Sequence, residues 1–204
     1  MLKFYIYVSK TKVDMLYPQI PAKFLSEADA ELKVNLGIVS AGLKSRSPDR
    51  PSELTGRIAS LVSYIRENET VGTVDDPRTW IQGTADLRWG IVEEYASDIA
   101  LFGGSINSKV LAMLGARESI IGAAQTSQAQ HGLCYYALKF FNGVAEGNTS
   151  LLAQTPPFTA SWKEAVTTGL KALPETTHRL DFMAKVLLTE EDVLVATPLY
   201  VALA

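Results

Sequence analysis

The stretch Leu101–Ala116 reads LFGGSINSKVLAMLGA. Two glycines, a serine, an asparagine and a lysine lie between two apolar runs. A phosphate-cradling loop would need G-x-x-x-x-G-K-[ST] between a strand and a helix, because loop amides and the helix N-terminus bind the anion together. Here Lys109 follows Ser108 rather than a glycine, and Val110–Leu114 (VLAML) continues as a strand-like run. The stretch is therefore predicted to be a hairpin. Ile99–Phe102 (IALF) and VLAML form its arms, and Gly103–Asn107 forms its loop, with the glycines supplying positive φ.

That reading makes the middle of the chain an antiparallel meander, since Trp80–Val92 is a third strand-like run just before it. Upstream, Lys3–Val8 (KFYIYV) predicts a central strand, apolar on both faces. Val13, Leu16, Tyr17 and Ile20 follow at helical spacing until Pro18 and Pro21 end the helix. Glu31–Val39 alternates as a strand with one wet face. After a polar loop, Ser52 caps a helix carrying Leu54, Ile58, Leu61, Val62 and Ile65 on one side.

Downstream, Leu133, Ala137, Phe140, Phe141 and Val144 predict a helix. Ser161 and Glu164 form a capping box for the next one. Pro174 breaks that helix, and Thr176 or Thr177 is expected to cap another through Leu188, with Leu180, Met183, Ala184 and Leu187 on its apolar side. The ending DVLVATPLYVALA predicts a strand with a bulge or edge position at Pro198, inserted in its own sheet. The expected class is α+β: one mixed, mainly antiparallel sheet of about six strands covered by helices, in a single domain over residues 1–204.

The chain has 204 residues, 47% of them apolar and 20% charged, with a formal net charge of -3. That supports one sizeable core. It shows no basic stripe of the kind nucleic-acid binders carry, so no nucleic-acid partner is expected. The one cysteine, Cys134, cannot form an internal disulfide, which fits a reducing compartment. No run approaches the ~18 apolar residues of a membrane span. A cytoplasmic protein with no membrane partner is the expectation.

The opening KFYIYVSKTKVDMLY (3–17), the middle QGTADLRWG (82–90) and the ending TPLYVALA (197–204) together resemble an actinobacterial family of proteins of unknown function. The resemblance spreads over the whole chain and implies a bacterial origin. It brings no activity with it. It implies a glycine–serine pair and a histidine near LGARESIIG (114–122). This chain has Gly115, Ala116, Arg117, Glu118 and Ser119 there, and no histidine.

Three groups of candidate binding residues stand out. Lys10, Thr11 and Lys12 follow the first strand and open a short helix, where strand ends gather ligands in open α/β sheets. Read plainly, they are a capped, solvated turn. Arg88 and Trp89 offer a planar fork beside a ring, either as a ligand clamp or as a surface arginine on an aromatic neighbour. Asp86 shares the face of Arg88 on a regular strand and could neutralise it. Ser105 and Lys109 flank the hairpin tip.

His131 and Cys134 share a helix face but lack a third group. His178 is expected at the surface. No spacing suggests a metal site, and no catalytic residue or cofactor is assigned.

The function expected from these features is binding of a small, anionic metabolite by an accessory or sensor protein. The alternatives are an enzyme of non-motif type acting on a metabolite or natural product, and an interaction subunit of a bacterial complex. A homodimer would follow if the last strand were lent to a second copy.

Overall fold

The computed structural model describes residues 3–24, 51–122, 135–147 and 162–204. The expected strand at Glu31–Val39, the pair His131 and Cys134, and the capping residue Ser161 lie outside the described residues. The chain divides into two compact units. One comprises Met1–Ser9 and Val71–Ala204, the other Lys10–Thr70.

The described residues of the second unit are helical. They form α1 (Lys10–Leu16), two short 3-10 turns and α2 (Pro51–Asn68). Ile58, Leu61, Val62 and Ile65 of α2 are buried, as their 3.6-residue spacing requires. Arg57 reaches Asp14 at 3.5 Å and lies 5.5 Å from the Tyr17 ring centroid. Phe24 meets Tyr64 edge-on at 5.1 Å.

The described residues of the first unit hold seven strands: β1 (Phe4–Val8), β2 (Val71–Gly72), β3 (Trp80–Ile91), β4 (Ile99–Ile106), β5 (Lys109–Ala116), β6 (His178–Thr189) and β7 (Val193–Leu203). Between β5 and β6 lie α3 (Tyr135–Gly147) and α4 (Trp162–Lys171). The class is α+β with a mixed sheet, and the sheet closes. β3 pairs β6 through Trp80–Leu87 and β4 through Arg88–Ile91. β4 pairs β5, β5 pairs β7 in parallel, and β7 pairs β6. The ring β3-β4-β5-β7-β6-β3 is a five-stranded barrel, to which β1 and β2 add at the edges of β7 and β3. With one parallel pair and the rest antiparallel, its strand order and directions are those of an OB-type barrel.

Closure depends on β6, the element for which the sequence predicts a helix over Thr177–Leu188. Leu180, Phe182, Ala184 and Val186 alternate into the barrel, all but Val186 at 0% exposure. A period of two therefore overrides the helical spacing of Leu180, Met183, Ala184 and Leu187, because β3 and β7 both offer this segment a ladder.

The hairpin forms, but the expected loop over Gly103–Asn107 does not: Gly103 and Gly104 are part of the strand and neither has positive φ. β4 runs through Gly103 and Gly104 to Ile106, and Asn107-Ser108 makes the turn with φ 51° at Asn107. Gly103 serves close packing: a Cβ there would stand 2.4 Å from Leu111 O and 2.6 Å from Leu170 Cδ2. β7 is inserted within its own sheet, and its register slips beside Pro198, as proline in a strand predicts.

Two apolar layers result. Inside the barrel lie Ile81, Leu87, Phe102, Leu111, Met113, Phe182 and their neighbours. Outside it, Ile99, Leu101, Ala112, Leu114, Val193 and Val195 pack under Phe140, Phe141 and Val144 of α3 and Val166 of α4. Alternate residues of β4, β5 and β7 thus serve the two layers.

Candidate functional site

On β3, Leu87 and Trp89 point into the barrel, so Arg88 and Asp86 stand on its outer face. Arg88 and Trp89 are thereby separated. Trp89 stacks on Phe102 with ring centroids 5.8 Å apart and planes 14° apart, and Phe102 meets Tyr7 edge-on at 5.4 Å. These three rings belong to the barrel interior.

Asp86 does not neutralise Arg88. Its cross-strand partner is Arg179 on β6, whose Nη1 donates to Asp86 Oδ2 at 3.3 Å. Arg88 is half-buried and, among the described residues, has no hydrogen-bond or ion-pair partner. It faces Gly103 on β4. Ser105, two residues further along β4 and beyond the last ladder pair, points to the same side of β4 as Gly103. Arg88, Ser105 and the Asp86–Arg179 pair thus form one polar row over β6, β3 and β4, with one uncommitted guanidinium. A planar fork of five donors in that setting suits a carboxylate or phosphate.

The other candidates lie elsewhere. Lys109 starts β5 opposite Ile106, on the strand side that continues inward as Leu111 and Met113, and so does not join the Arg88 row. In the second unit, Lys10 is half-buried and Thr11 exposed, while Lys12 is buried. Burial pushes the Lys12 ammonium down to about 7. His178 is exposed at the first position of β6.

A second polar cluster, unmarked in the sequence, surrounds Tyr7. Its phenol is buried and hydrogen-bonds with the Ser119 and Ser9 side chains. Burial raises its pKa, and the two serines oppose that shift. Gly115 leaves the space the phenol occupies. Gly115 and Ser119 lie in the stretch where the resemblance implies a glycine–serine pair, but nothing in the sequence ties them to Tyr7. Its hydroxyls are turned to one another inside the protein, which makes it a structural pin. At the start of β1, Lys3 Nζ donates to Asp181 Oδ2 at 2.5 Å and to Tyr200 Oη at 2.9 Å, fastening β1 to the barrel.

The outer face of the barrel's second and third strands, which OB-type barrels commonly give to oligonucleotides or oligosaccharides, corresponds here to β4 and β5. α3 and α4 roof it. Among the described residues, no three His, Cys, Asp or Glu side chains gather as a metal-ligand set. No described helix is long and apolar enough to cross a membrane.

The chain belongs to a family of unknown function (DUF7019), whose model matches residues 3–204. No curated protein and no solved structure matches it.

Proposed function

We propose that this member of the family binds a small anionic molecule on the outer face of the barrel and serves as an accessory or sensor protein. One observation carries the reading: Arg88 is a half-buried guanidinium without an acidic partner among the described residues, although Asp86 stands two residues away on the same face. An arginine with a carboxylate so close ordinarily pairs with it. Here the cross-strand register gives that carboxylate to Arg179, and Arg88 stays available. Ser105 adds a hydroxyl on the same face.

The test is calorimetric titration of the full chain with acetate, benzoate and inorganic phosphate. Wild type binds at least one of them, and Arg88→Lys weakens that binding about tenfold or more, since lysine lacks the bidentate fork. Binding that is absent, or unchanged in Arg88→Lys, refutes the reading.

A second reading, the interaction subunit, draws on Phe4 and Leu203. These are cross-strand partners of β1 and β7, exposed at 74% and 46%. Sedimentation analysis tests its simplest form, a homodimer through this pair. A concentration-dependent dimer abolished by Phe4→Ser supports it, and a monomer at all concentrations removes it.

A further inference from the structure

The surroundings of Arg88 say more about its ligand than the arginine does. Two positions beside it on the outer face are glycines: Gly103 directly across on β4, and Gly90 two residues along β3. Neither has a side chain, and α4 with the turn after it fills both places. Leu170 Cδ2 lies 2.6 Å from where a Gly103 Cβ would stand. Leu173 Cδ2 and Pro174 Cδ lie 3.3 and 3.4 Å from where a Gly90 Cβ would stand. Opposed Cβ positions in a ladder are about 5 Å apart, so the Leu170 methyl stands over the position next to Arg88 on the neighbouring strand.

Arg88 therefore stands on a border. To one side runs a polar row of Asp86, Arg179 and Ser105. To the other runs a ridge of Leu170, Leu173 and Pro174. Leu173 is buried, but Leu170 is only half-buried and Pro174 is exposed. The ridge thus presents apolar surface next to a guanidinium that has no anionic partner among the described residues.

Resting on the anion-binding reading above, we infer that the ligand is a monocarboxylate with an apolar body, an aliphatic or aromatic acid. Charge favours one negative unit: Arg88 and Arg179 against Asp86 leave the row at a formal +1. Shape admits a carboxylate, which the guanidinium fork can hold through two parallel hydrogen bonds. The ridge favours a body that covers Leu170 and Pro174, where each methylene buried tightens binding by up to about fourfold.

The experiment compares acetate, octanoate, benzoate and inorganic phosphate on the full chain by calorimetry, with three variants. Octanoate or benzoate should bind at least ten times tighter than acetate and phosphate. Arg88→Lys should weaken both acids. Leu170→Gln should shrink the preference over acetate to less than threefold while acetate binding persists. Pro174→Glu, at an exposed position that does not endanger folding, should weaken octanoate and benzoate by placing a negative charge on the ridge. If acetate or phosphate binds as tightly as octanoate and benzoate, and still depends on Arg88, the apolar-body inference fails and the anion site stands. If octanoate binds tightly but ignores Arg88→Lys and Pro174→Glu, it sits elsewhere and the inference fails. If no probe binds in an Arg88-dependent way, the anion reading itself falls.

Discussion

The Tyr7 hydroxyl occupies the space that a side chain at position 115 would fill: a Gly115 Cβ would stand 2.1 Å from Tyr7 Oη and 2.6 Å from its Cζ. β1 and β5 can meet around the buried phenol only because residue 115 has no side chain. Gly115→Ala should destabilise the fold by about 1–3 kcal/mol, the usual cost of overpacking a dense core. Tyr7→Phe should cost about 1–2 kcal/mol, since it leaves the Ser9 and Ser119 hydroxyls short of a partner. The double variant should be less unstable than the sum, because the tighter of the two clashes disappears with the hydroxyl. Denaturant unfolding of the four proteins gives the coupling, and strict additivity would show that the phenol does not fill that space.

Closure of the barrel by β6 makes Phe182 and Leu187 unequal. Phe182 is fully buried inside the barrel, opposite Gly83, whereas Leu187 is half-buried at the outer layer. Phe182→Ala should cost about 3–5 kcal/mol and Leu187→Ala less than half of that. A helical segment with Leu187 in its core and Phe182 outside it would reverse the order, so the pair of unfolding midpoints decides between the two.

That segment also shows where the sequence stopped being legible. HRLDFMAKVLLT carries apolar residues at both spacings: Leu180, Met183, Ala184 and Leu187 for a helix, and Leu180, Phe182, Ala184 and Val186 for a strand. Only the partners on either side choose between them, and β3 and β7 are more than eighty residues upstream and a few residues downstream. The hairpin at Leu101–Ala116 and the final strand were legible because their signals are local: turn residues between apolar runs, and a β-branched ending. Losing β6 hid more than one strand. It hid barrel closure, and it hid Arg179, so Asp86 looked like the partner of Arg88. Arg88 itself could be singled out from sequence, but the leucines beside it could not, since they reach it across two glycines from a helix far along the chain.

Lys12 supplies a pH prediction. Its ammonium is buried and titrates near 7 in the folded protein, against an ordinary value of 10.5. Between those values the unfolded chain holds a proton that the folded one has lost, so stability should rise with pH from about 7 to about 10.5. Each unit is worth up to about 1.4 kcal/mol. Below pH 7 both states are protonated and the burial penalty is constant. Thermal melts of wild type and Lys12→Met at pH 6, 7, 8 and 9 should converge as pH rises, with wild type gaining stability relative to the variant. Parallel curves would mean that the lysine keeps its ordinary affinity for protons in the fold.

The Asp86–Arg179 pair offers a prediction in which stability and binding part company. Both side chains are more than 60% exposed, so the ion pair should contribute little to folding, within about 0.5 kcal/mol. Asp86→Asn should therefore leave the unfolding midpoint nearly unchanged. It should also free Arg179 and raise the charge of the row around Arg88 by one unit. Benzoate or acetate should then bind about three- to tenfold tighter at low salt, and the gain should shrink as the ionic strength rises toward a Debye length of ~8 Å at 0.15 M. Unchanged affinity at low salt would mean that the anion does not sense this face, and would count against Arg88 as its anchor. Tighter binding that survives 0.5 M salt would point to a new hydrogen bond from the introduced side-chain amide rather than to released charge. Asp86→Ala separates those two causes, since it removes the carboxylate without supplying a donor.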